Sequence, residues 1–242
     1  MQLNYADLRT RYEDLTNKAT ATCKLTTELV GGQPAGEAGI RAYVTHHLHL
    51  IDEEAEKAVA RIMKEEVGEK PVPSETGELD ERMTYGLNVI RRDEYGPWLG
   101  DWMVKACLKC AGSRLGFFAT KKGTKGDMAE MGNVRAVGIS ALNPEHPERV
   151  YLADDAGASA KTYFQKFMGR VQTPQGSKSI VNESECVAPG ARFSFEYFWP
   201  GKKLTEADVA NLFACSMVIG LGSCKALERG KFAIETLDIE MK

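Results

Sequence analysis

The chain has 242 residues, of which 43% are hydrophobic and 27% charged. This composition is typical of a globular protein with one large domain or two small ones. No apolar run reaches the roughly 18 residues that a membrane-spanning helix needs, and the first residues are polar and charged. We therefore expect a cytoplasmic protein without a secretory signal.

The charges are unevenly distributed along the chain. The net charge of −3 does not by itself indicate a nucleic-acid partner. Residues 105–125 nevertheless carry six cations and no acid, and residues 161–178 carry four cations and no acid, whereas residues 52–81 are strongly acidic. The two basic stretches could face an anionic polymer, or they could be ordinary solvated surfaces.

The six cysteines do not form a metal-binding pattern. Cys107 and Cys110 are close together, but a zinc site requires a second close pair or nearby histidines. This spacing favours structural thiols, and we expect neither a metal nor another cofactor. The chain also lacks Gly-x-Ser-x-Gly and His-Glu-x-x-His motifs, which weakens the alternative of a small-molecule enzyme with an α+β fold.

In the first half of the chain, apolar periodicity predicts alternating helices and strands. The predicted elements are a short helix over residues 4–17, strands over 20–29 and 40–50, a helix over 52–67 and a strand over 83–90. We expect residues 51–83 to be a helical insertion into a core fold.

In the second half, the same criteria predict a helix over residues 98–114 and strands over 134–142, 150–152 and 187–199. A helix over 205–219 follows, for which Thr205 is the expected N-terminal cap, and a last strand covers 232–239. Residues 154–180 show little periodicity and are predicted to be a loop or thumb-like insertion.

The weakly periodic segment interleaves aromatic residues with cations. Tyr163, Phe164 and Phe167 lie among Lys161, Lys166 and Arg170. This pattern suits stacking on the bases of a single-stranded nucleic acid. A short helix that packs the aromatic side chains into a core would explain the pattern equally well.

A glycine-rich stretch joins the last predicted helix to the last strand. Gly220, Gly222 and Gly230 accompany Lys225, Arg229 and Lys231. Such a loop can bring backbone N–H groups and cations to a phosphate, or it can be a helix C-cap followed by a turn. Its place after a helix excludes a dinucleotide-binding turn, and it lacks the Gly-Lys-Ser/Thr of a P-loop.

Residues 185–237 together resemble the C-terminal signature of the RAMP superfamily of CRISPR proteins. The matching positions are Glu185, Pro189, Gly190, Phe193, Gly220, Gly222, Lys225, Gly230, Lys231 and Phe232. Glu228 stands where the family has a further glycine. Residues 95–114 resemble a helix of the same family, with Lys105 at its basic position but without the Gly-Ser-Ser that usually precedes it.

This resemblance implies a single RRM-like domain over residues 1–242 with a ferredoxin-like α+β core. The core has an antiparallel sheet with helices on one face, and it carries the segments 51–83 and 154–180 as insertions. The resemblance further implies a non-catalytic backbone subunit of a CRISPR effector ribonucleoprotein. Such a subunit binds guide RNA and its complementary target, assembles with copies of itself and other subunits, and inserts a thumb-like hairpin between bases.

On this interpretation, RNA is bound by basic residues and glycines in four parts of the chain. The expected RNA-binding residues are Lys105, Lys121, Lys122, Lys125, Lys166, Arg170, Gly220, Gly222, Lys225, Arg229 and Lys231.

Three alternatives remain open. A guide-RNA-processing endoribonuclease would use His46, His47 or His49 as a general base, although these histidines are better explained as ordinary strand residues. A viral mimic of the backbone subunit, or a structural subunit that assembles without RNA, would share most of these features. The resemblance implies that a subunit able to cleave target RNA has an aspartate in the loop after the first strand. Here that loop, residues 31–39, contains Glu37 and no aspartate, so we expect no cleavage of target RNA.

Overall fold

The computed structural model describes residues 16–34, 40–41, 44–45, 50–64, 84–117, 133–136, 146–173, 176–200, 204–223 and 228–242. Its strands are β1 (Asn17–Leu25), β2 (Leu29–Val30), β3 (Gln33–Pro34), β4 (Thr84–Val89), β5 (Arg92–Asp93), β6 (Gly96–Gly100), β7 (Asn133–Ala136), β8 (Arg149–Tyr151), β9 (Thr162–Thr173), β10 (Gly176–Val187), β11 (Arg192–Trp199) and β12 (Phe232–Glu240). Its helices are α1 (Asp52–Ile62), α2 (Asp101–Arg114) and α3 (Glu206–Ile219). The fold is therefore α+β.

The main sheet has the strand order β12-β1-β11-β7, and each neighbouring pair is antiparallel. Along the chain, α2 lies between β1 and β7, and α3 lies between β11 and β12. In the sheet, β11 lies between β1 and β7, and β1 lies between β11 and β12. The two strands that flank each helix in this succession are therefore not neighbours in the sheet. Both helices pack on the same face of the sheet, where they share one core with the inward side chains of β1 and β11.

Small and aromatic side chains complement each other across the two central strands. The three central inward residues of β1 are fully buried and small: Ala19, Ala21 and Cys23 lie opposite Tyr197, Phe195 and Phe193 of β11. The aromatic rings extend toward α3, where Phe213 stacks on Phe195 with a centroid distance of 5.8 Å. A large residue on β1 would compete with these rings for the same volume.

Helix α3 begins with a capping box. The Thr205 hydroxyl accepts from the Asp208 N–H, and the Asp208 carboxylate accepts from the Thr205 N–H at 2.9 Å. These bonds satisfy N–H groups that lack a partner within the helix. The predicted helix and its predicted cap are both confirmed.

A second sheet has the order β2-β10-β4-β3, and β9 pairs with β10. Strand β10 runs parallel to β4 and antiparallel to β9. All twelve residues of β9 pair with β10, and we refer to residues 162–187 as the hairpin arm. A third, smaller sheet consists of β5, β6 and β8.

Helix α1 belongs to a second, smaller hydrophobic core. Ala55, Val59 and Ile62 of α1 pack with Ile40, Val44 and Val89, all of which are buried. None of the helices among the described residues is long and apolar enough to cross a membrane.

Several predicted elements differ from the observed ones. Residues 40–50 were expected to form a strand, but Ile40, Arg41, Val44 and Thr45 are helical. The prediction failed because Ile40 and Val44, four residues apart, pack against α1, and this contact outweighs the strand propensity of the β-branched residues. Residues 96–100 form β6, so α2 begins at Asp101 rather than at residue 98.

The weakly periodic segment also differs from expectation. Residues 162–173 form a continuous strand, so neither a loop nor a short helix describes them. The thumb-like insertion expected over residues 154–180 stays a prediction. The predicted strand over 187–199 is divided, since β10 ends at Val187 and β11 begins at Arg192. Most of the predicted helix over residues 4–17 lies outside the described residues.

We predict that Phe213→Ala lowers the free energy of unfolding by about 3–5 kcal/mol, because it removes a fully buried ring from the aromatic core. Val218→Ala on the same helix is the matched control. Val218 is 64% exposed, so its loss should change stability by no more than about 0.5 kcal/mol. Urea unfolding followed by circular dichroism compares the two variants, and equal stabilities would contradict this account of the core.

Candidate nucleic-acid interface

The glycine loop, residues 220–231, is described at residues 220–223 and 228–231. Gly220, Gly222 and Gly230 have φ angles of +78°, +72° and +72°. A Cβ on Gly222 would lie 2.8 Å from the carbonyl oxygen of Val30, and one on Gly230 would clash with the carbonyl of Leu221. Glycine is therefore required here by backbone conformation and by close backbone packing.

Most backbone donors described in the glycine loop are used within the protein. The N–H of Leu221 donates to Gly230 O at 2.8 Å, that of Ser223 to Val30 O at 3.0 Å, and that of Gly230 to Glu28 O at 2.7 Å. The N–H of Lys231 donates to the Thr27 hydroxyl at 2.9 Å. A phosphate at this part of the loop must therefore be held mainly by side chains.

The two described cations of the loop form ion pairs. Arg229 pairs with Glu28, and both side chains are largely buried. Lys231 Nζ lies 3.2 Å from Glu228 Oε1, and the Glu228 side chain is 80% exposed. A pair this exposed contributes only about 0–1 kcal/mol, so a phosphate can replace the Glu228 carboxylate at little cost.

The remaining predicted RNA-binding residues are dispersed. Lys105 lies half-buried on α2, Lys166 is exposed on β9, and Arg170 belongs to the same strand. Lys121, Lys122, Lys125 and Lys225 lie outside the described residues. The structure thus brings Gly220, Gly222, Arg229 and Lys231 together in one loop and leaves the others on separate elements.

Strand β2 links the glycine loop to the root of the hairpin arm. Val30 pairs with Cys186 of β10, and its carbonyl accepts the N–H of Ser223. On the other side, the Cys107 thiol of α2 donates to Gly220 O at 3.3 Å. The loop is therefore fixed to both α2 and the arm.

The hairpin arm exposes apolar and cationic side chains. Tyr163, Phe164 and Met168 are 39%, 40% and 79% exposed, and Lys161 and Lys166 beside them are also exposed. Tyr163 and Phe164 are therefore partly exposed on a strand, so the explanation by a short helix that packs them into a core is wrong. Stacking on bases stays a prediction. Large exposed apolar groups on a strand ribbon are typical of a binding surface.

The open face of the main sheet has a different character. Lys18 Nζ lies 2.8 Å from Glu240, and Arg192 Nε donates to Glu235 at 2.7 Å. The hydrogen bond from the Arg192 guanidinium holds the pKa of the Glu235 carboxyl below its usual range. Among the described residues, this face presents paired charges rather than exposed aromatic rings, so it lacks the stacking platform that RRM domains use for bases.

Sequence analysis missed a cluster of arginines and tryptophans. The Arg91 guanidinium lies 5.5 Å from the ring centroids of both Trp98 and Trp102, and that of Arg149 lies 5.1 Å from the centroid of Trp98. We refer to these four residues as the arginine–tryptophan cluster. Such cation–π contacts are worth about 0.5–2 kcal/mol each.

A polar network holds Arg149 in the cluster. Arg149 Nη1 and the Tyr151 hydroxyl each donate to Asp93 Oδ2 at 2.7 Å. Burial and the neighbouring Asp93 carboxylate raise the pKa of Tyr151 above its usual range. Tyr151 therefore stays protonated and remains a hydrogen-bond donor at neutral pH.

A cavity of about 260 Å³ lies between the arginine–tryptophan cluster and the glycine loop. Trp98, Trp102, Gly222 and Ser223 are among the residues that line it. One sequence signal could have indicated this site, because two of the three tryptophans lie within five residues and follow an Arg-Arg pair. The approach of Arg149 is long-range and has no local signal.

The residues of the alternative hypotheses are only partly described. His46, His47, His49 and Glu37 lie outside the described residues. Cys107 is buried and donates to Ser216 O at 3.5 Å, whereas Cys110 is exposed. Among the described residues, no group of three or more His, Cys, Asp or Glu side chains is arranged to hold a metal ion.

No protein-family model matches the chain, and no curated protein matches it. Among solved structures, it is similar to a chain of the type III-B Cmr-beta complex bound to cognate target RNA, with 8% identity and a TM-score of 0.45; the match covers 99% of this chain and 68% of the other. It is also similar to a chain of a type IV-B CRISPR complex, with 10% identity, a TM-score of 0.38, and coverage of 93% and 91%. Both TM-scores are below 0.5, so neither similarity assigns a function.

We predict that Gly230→Ala destabilises the fold by about 3 kcal/mol or more, because the new Cβ clashes with Leu221 in addition to the cost of its positive φ. Gly116→Ala is the matched control, since Gly116 has a φ of +77° but nothing within 4 Å of the added Cβ. It should cost only about 1–2 kcal/mol. Similar unfolding midpoints for the two variants in urea would show that the loop is not tightly packed.

Proposed function

We propose that this chain is a non-catalytic, RNA-binding backbone subunit of a CRISPR effector ribonucleoprotein of the RAMP type. The observation that carries the proposal is the hairpin arm, which presents aromatic and cationic side chains outside the core. A single-stranded nucleic acid offers both groups that such a surface binds, because its bases stack on aromatic rings and its phosphates attract cations.

We further propose that the main sheet with α2 and α3 is a ferredoxin-like core. The succession β1, α2, β7, β11, α3, β12 follows the β-α-β-β-α-β pattern of that fold. The strand order β12-β1-β11-β7 with antiparallel neighbours agrees with this assignment. Segments outside this succession, including α1 and the hairpin arm, are then additions to the core.

The arm is suited to insertion between bases because its root is anchored. A two-stranded ribbon is only marginally stable by itself, but β10 also pairs with β4 and with β2. These pairings involve residues 180–184 and 186–187 of β10. Phe164 and Met168 of β9 lie opposite Glu185 and Val181, in this anchored part of the arm, and both remain exposed.

Phosphate binding in this proposal comes from side chains rather than from a backbone cradle. The Lys231 ammonium pairs with the exposed Glu228 carboxylate, and Lys166 is exposed on the arm. Lys105 and Arg229, with the predicted residues outside the described ranges, would extend this basic surface. The complementary target would pair with the bound guide RNA. Further copies of the subunit would bind along the same guide strand.

We predict that the chain copurifies with a uniform small RNA in a large particle when it is expressed beside its neighbouring genes. The absorbance ratio at 260 and 280 nm, followed by extraction and sequencing of the RNA, measures this directly. Because phosphate contacts release counterions, the particle should lose RNA as the salt concentration rises. A clean monomer without nucleic acid, both alone and beside the neighbouring genes, would contradict the proposal.

We predict that Lys231→Gln weakens binding of single-stranded RNA and lowers the slope of log K against log salt by about 0.7, the effect of one lost phosphate contact. Lys57→Gln is the matched control, because Lys57 is an exposed cation on α1 paired with Glu53. Fluorescence anisotropy with a labelled oligoribonucleotide at several salt concentrations measures both variants. Equal slopes for the two variants would remove Lys231 from the interface.

A further prediction concerns the arm. Phe164→Ala should weaken RNA binding by about 1–3 kcal/mol, because one base loses its stacking partner. Leu115→Ala is the control, since Leu115 is 39% exposed and lies just after α2, outside the arm. The same anisotropy assay compares them, with thermal unfolding to verify that both variants are folded. Unchanged affinity for Phe164→Ala would exclude it from base stacking.

A further inference from the structure

The cavity beside the arginine–tryptophan cluster has the construction of a ligand site. Part of its wall is backbone, because a Cβ on Gly31 would lie 2.6 Å from the carbonyl of Val89 and one on Gly32 would clash with the Ser223 side chain. Both glycines line the cavity together with Gly222 of the glycine loop. A ligand here can therefore approach the backbone closely.

Trp102 provides an aromatic surface at this cavity. The residue is 53% exposed, although it is among the largest apolar side chains in the protein. Arg91 lies over its ring at 5.5 Å, and Gly100 leaves room for the indole to lie against the backbone, because a Cβ there would clash with it. The ring is thus held in place while much of its surface remains available for stacking.

Trp98 contributes an unsatisfied polar group. It is only 5% exposed and lines the same cavity, and its Nε1 has no hydrogen-bond acceptor among the described residues. A buried indole N–H normally has a partner. Less than 1 Å² of this nitrogen is exposed, so a ligand with an acceptor on its edge would satisfy the donor only after the cavity wall shifts to admit it.

We propose that this cavity binds one unstacked base of a single-stranded RNA, with Trp102 as the stacking surface and Trp98 Nε1 as the donor to the base edge. This inference rests on the proposed RNA-binding function and locates a base site that is separate from the hairpin arm. A cavity of about 260 Å³ is slightly smaller than typical drug-sized ligand sites of roughly 300–1,000 Å³, which suits a single planar base.

The surroundings also fit a nucleotide. Lys105 is three residues beyond Trp102 on α2, so the two side chains emerge on neighbouring parts of the helix surface. Gly222 and Ser223 belong to the loop that carries Arg229 and Lys231. A base in the cavity would therefore leave its phosphate close to elements that bear cations.

The experiment compares a labelled single-stranded oligoribonucleotide with an oligonucleotide of the same length that has abasic positions in its centre. The two probes have the same phosphates and differ only in their bases. The full-length chain should bind the base-containing probe more tightly, and Trp102→Ala should weaken that binding by roughly 5- to 150-fold, the range that corresponds to one stacked base. Binding of the abasic probe should remain unchanged.

Two further variants separate stacking from folding. Trp102→Phe keeps an aromatic ring and should restore most of the affinity. Trp98→Phe keeps the ring but removes the donor, and should weaken binding of the base-containing probe by roughly 2- to 10-fold. Val218→Ala on the surface of α3 is the control and should bind both probes as the unmodified chain does.

A fluorescence titration distinguishes failure of the base site from failure of the proposed RNA-binding function. Adenosine monophosphate and uridine monophosphate are added to the protein while its tryptophan fluorescence is recorded. Saturable quenching that disappears in Trp102→Ala would support the base site even if no RNA particle exists. If the chain binds RNA but Trp102→Ala binds both probes as the unmodified chain does, the base site is wrong and the proposed function stands. Absence of both quenching and RNA binding would overturn both.

Discussion

The rest of the structure depends on the complementary packing of β1 against β11. Strand β1 is hydrogen-bonded on both sides, to β11 and to β12, and its inward residues are small where those of β11 are aromatic. This arrangement leaves the volume above β1 to Phe193, Phe195 and Tyr197, which contact Phe213 of α3 directly or through one another. Since a dense core tolerates little change in volume, the position of α3 follows from these few residues.

The position of α3 in turn determines the candidate interface. The helix ends at Gly220, whose N–H donates to Ser216 O and whose carbonyl accepts the Cys107 thiol. The glycine loop then crosses the end of β1, where Gly230 and Lys231 bond to Glu28 and Thr27. The loop, the cavity and the start of β2 thus lie together where the chain leaves the main sheet after β1.

A buried carboxylate connects this region to the hairpin arm. Glu185 is 1% exposed, its Oε2 accepts the N–H of Ile90 at 3.0 Å, and its other oxygen pairs with Arg92. Its backbone carbonyl also accepts the N–H of Gly31 at 2.8 Å. A buried charge is retained only where it is paired and hydrogen-bonded, and here Ile90 and Gly31, which bond to Glu185, line the cavity. The arm and the cavity therefore share one anchor and keep a fixed relation.

The sequence predicts best those elements whose burial is periodic. Strand β1 alternates between buried and half-buried residues, and α3 buries Val209, Leu212, Phe213 and Ser216 at helical spacing. The hairpin arm was not predicted as strands because its exposed positions include the apolar Phe164 and Met168 beside the cationic Lys166, so polarity along the sequence does not follow burial. The arginine–tryptophan cluster was missed for a different reason. Arg149 reaches Trp98 from another strand, and such a contact depends on the tertiary fold.

These contacts also change the meaning of the glycine signature. The glycines suggested a backbone cradle for phosphate, yet the N–H groups of Leu221, Ser223 and Gly230 bond within the protein. In this chain the glycines serve close backbone packing, which allows the loop to lie against β2 and to form one wall of the cavity. The loop thus contributes shape, its side chains contribute charge, and the neighbouring tryptophans contribute an aromatic surface. A single-stranded nucleic acid can use all three, because its backbone and its bases are exposed at the same time.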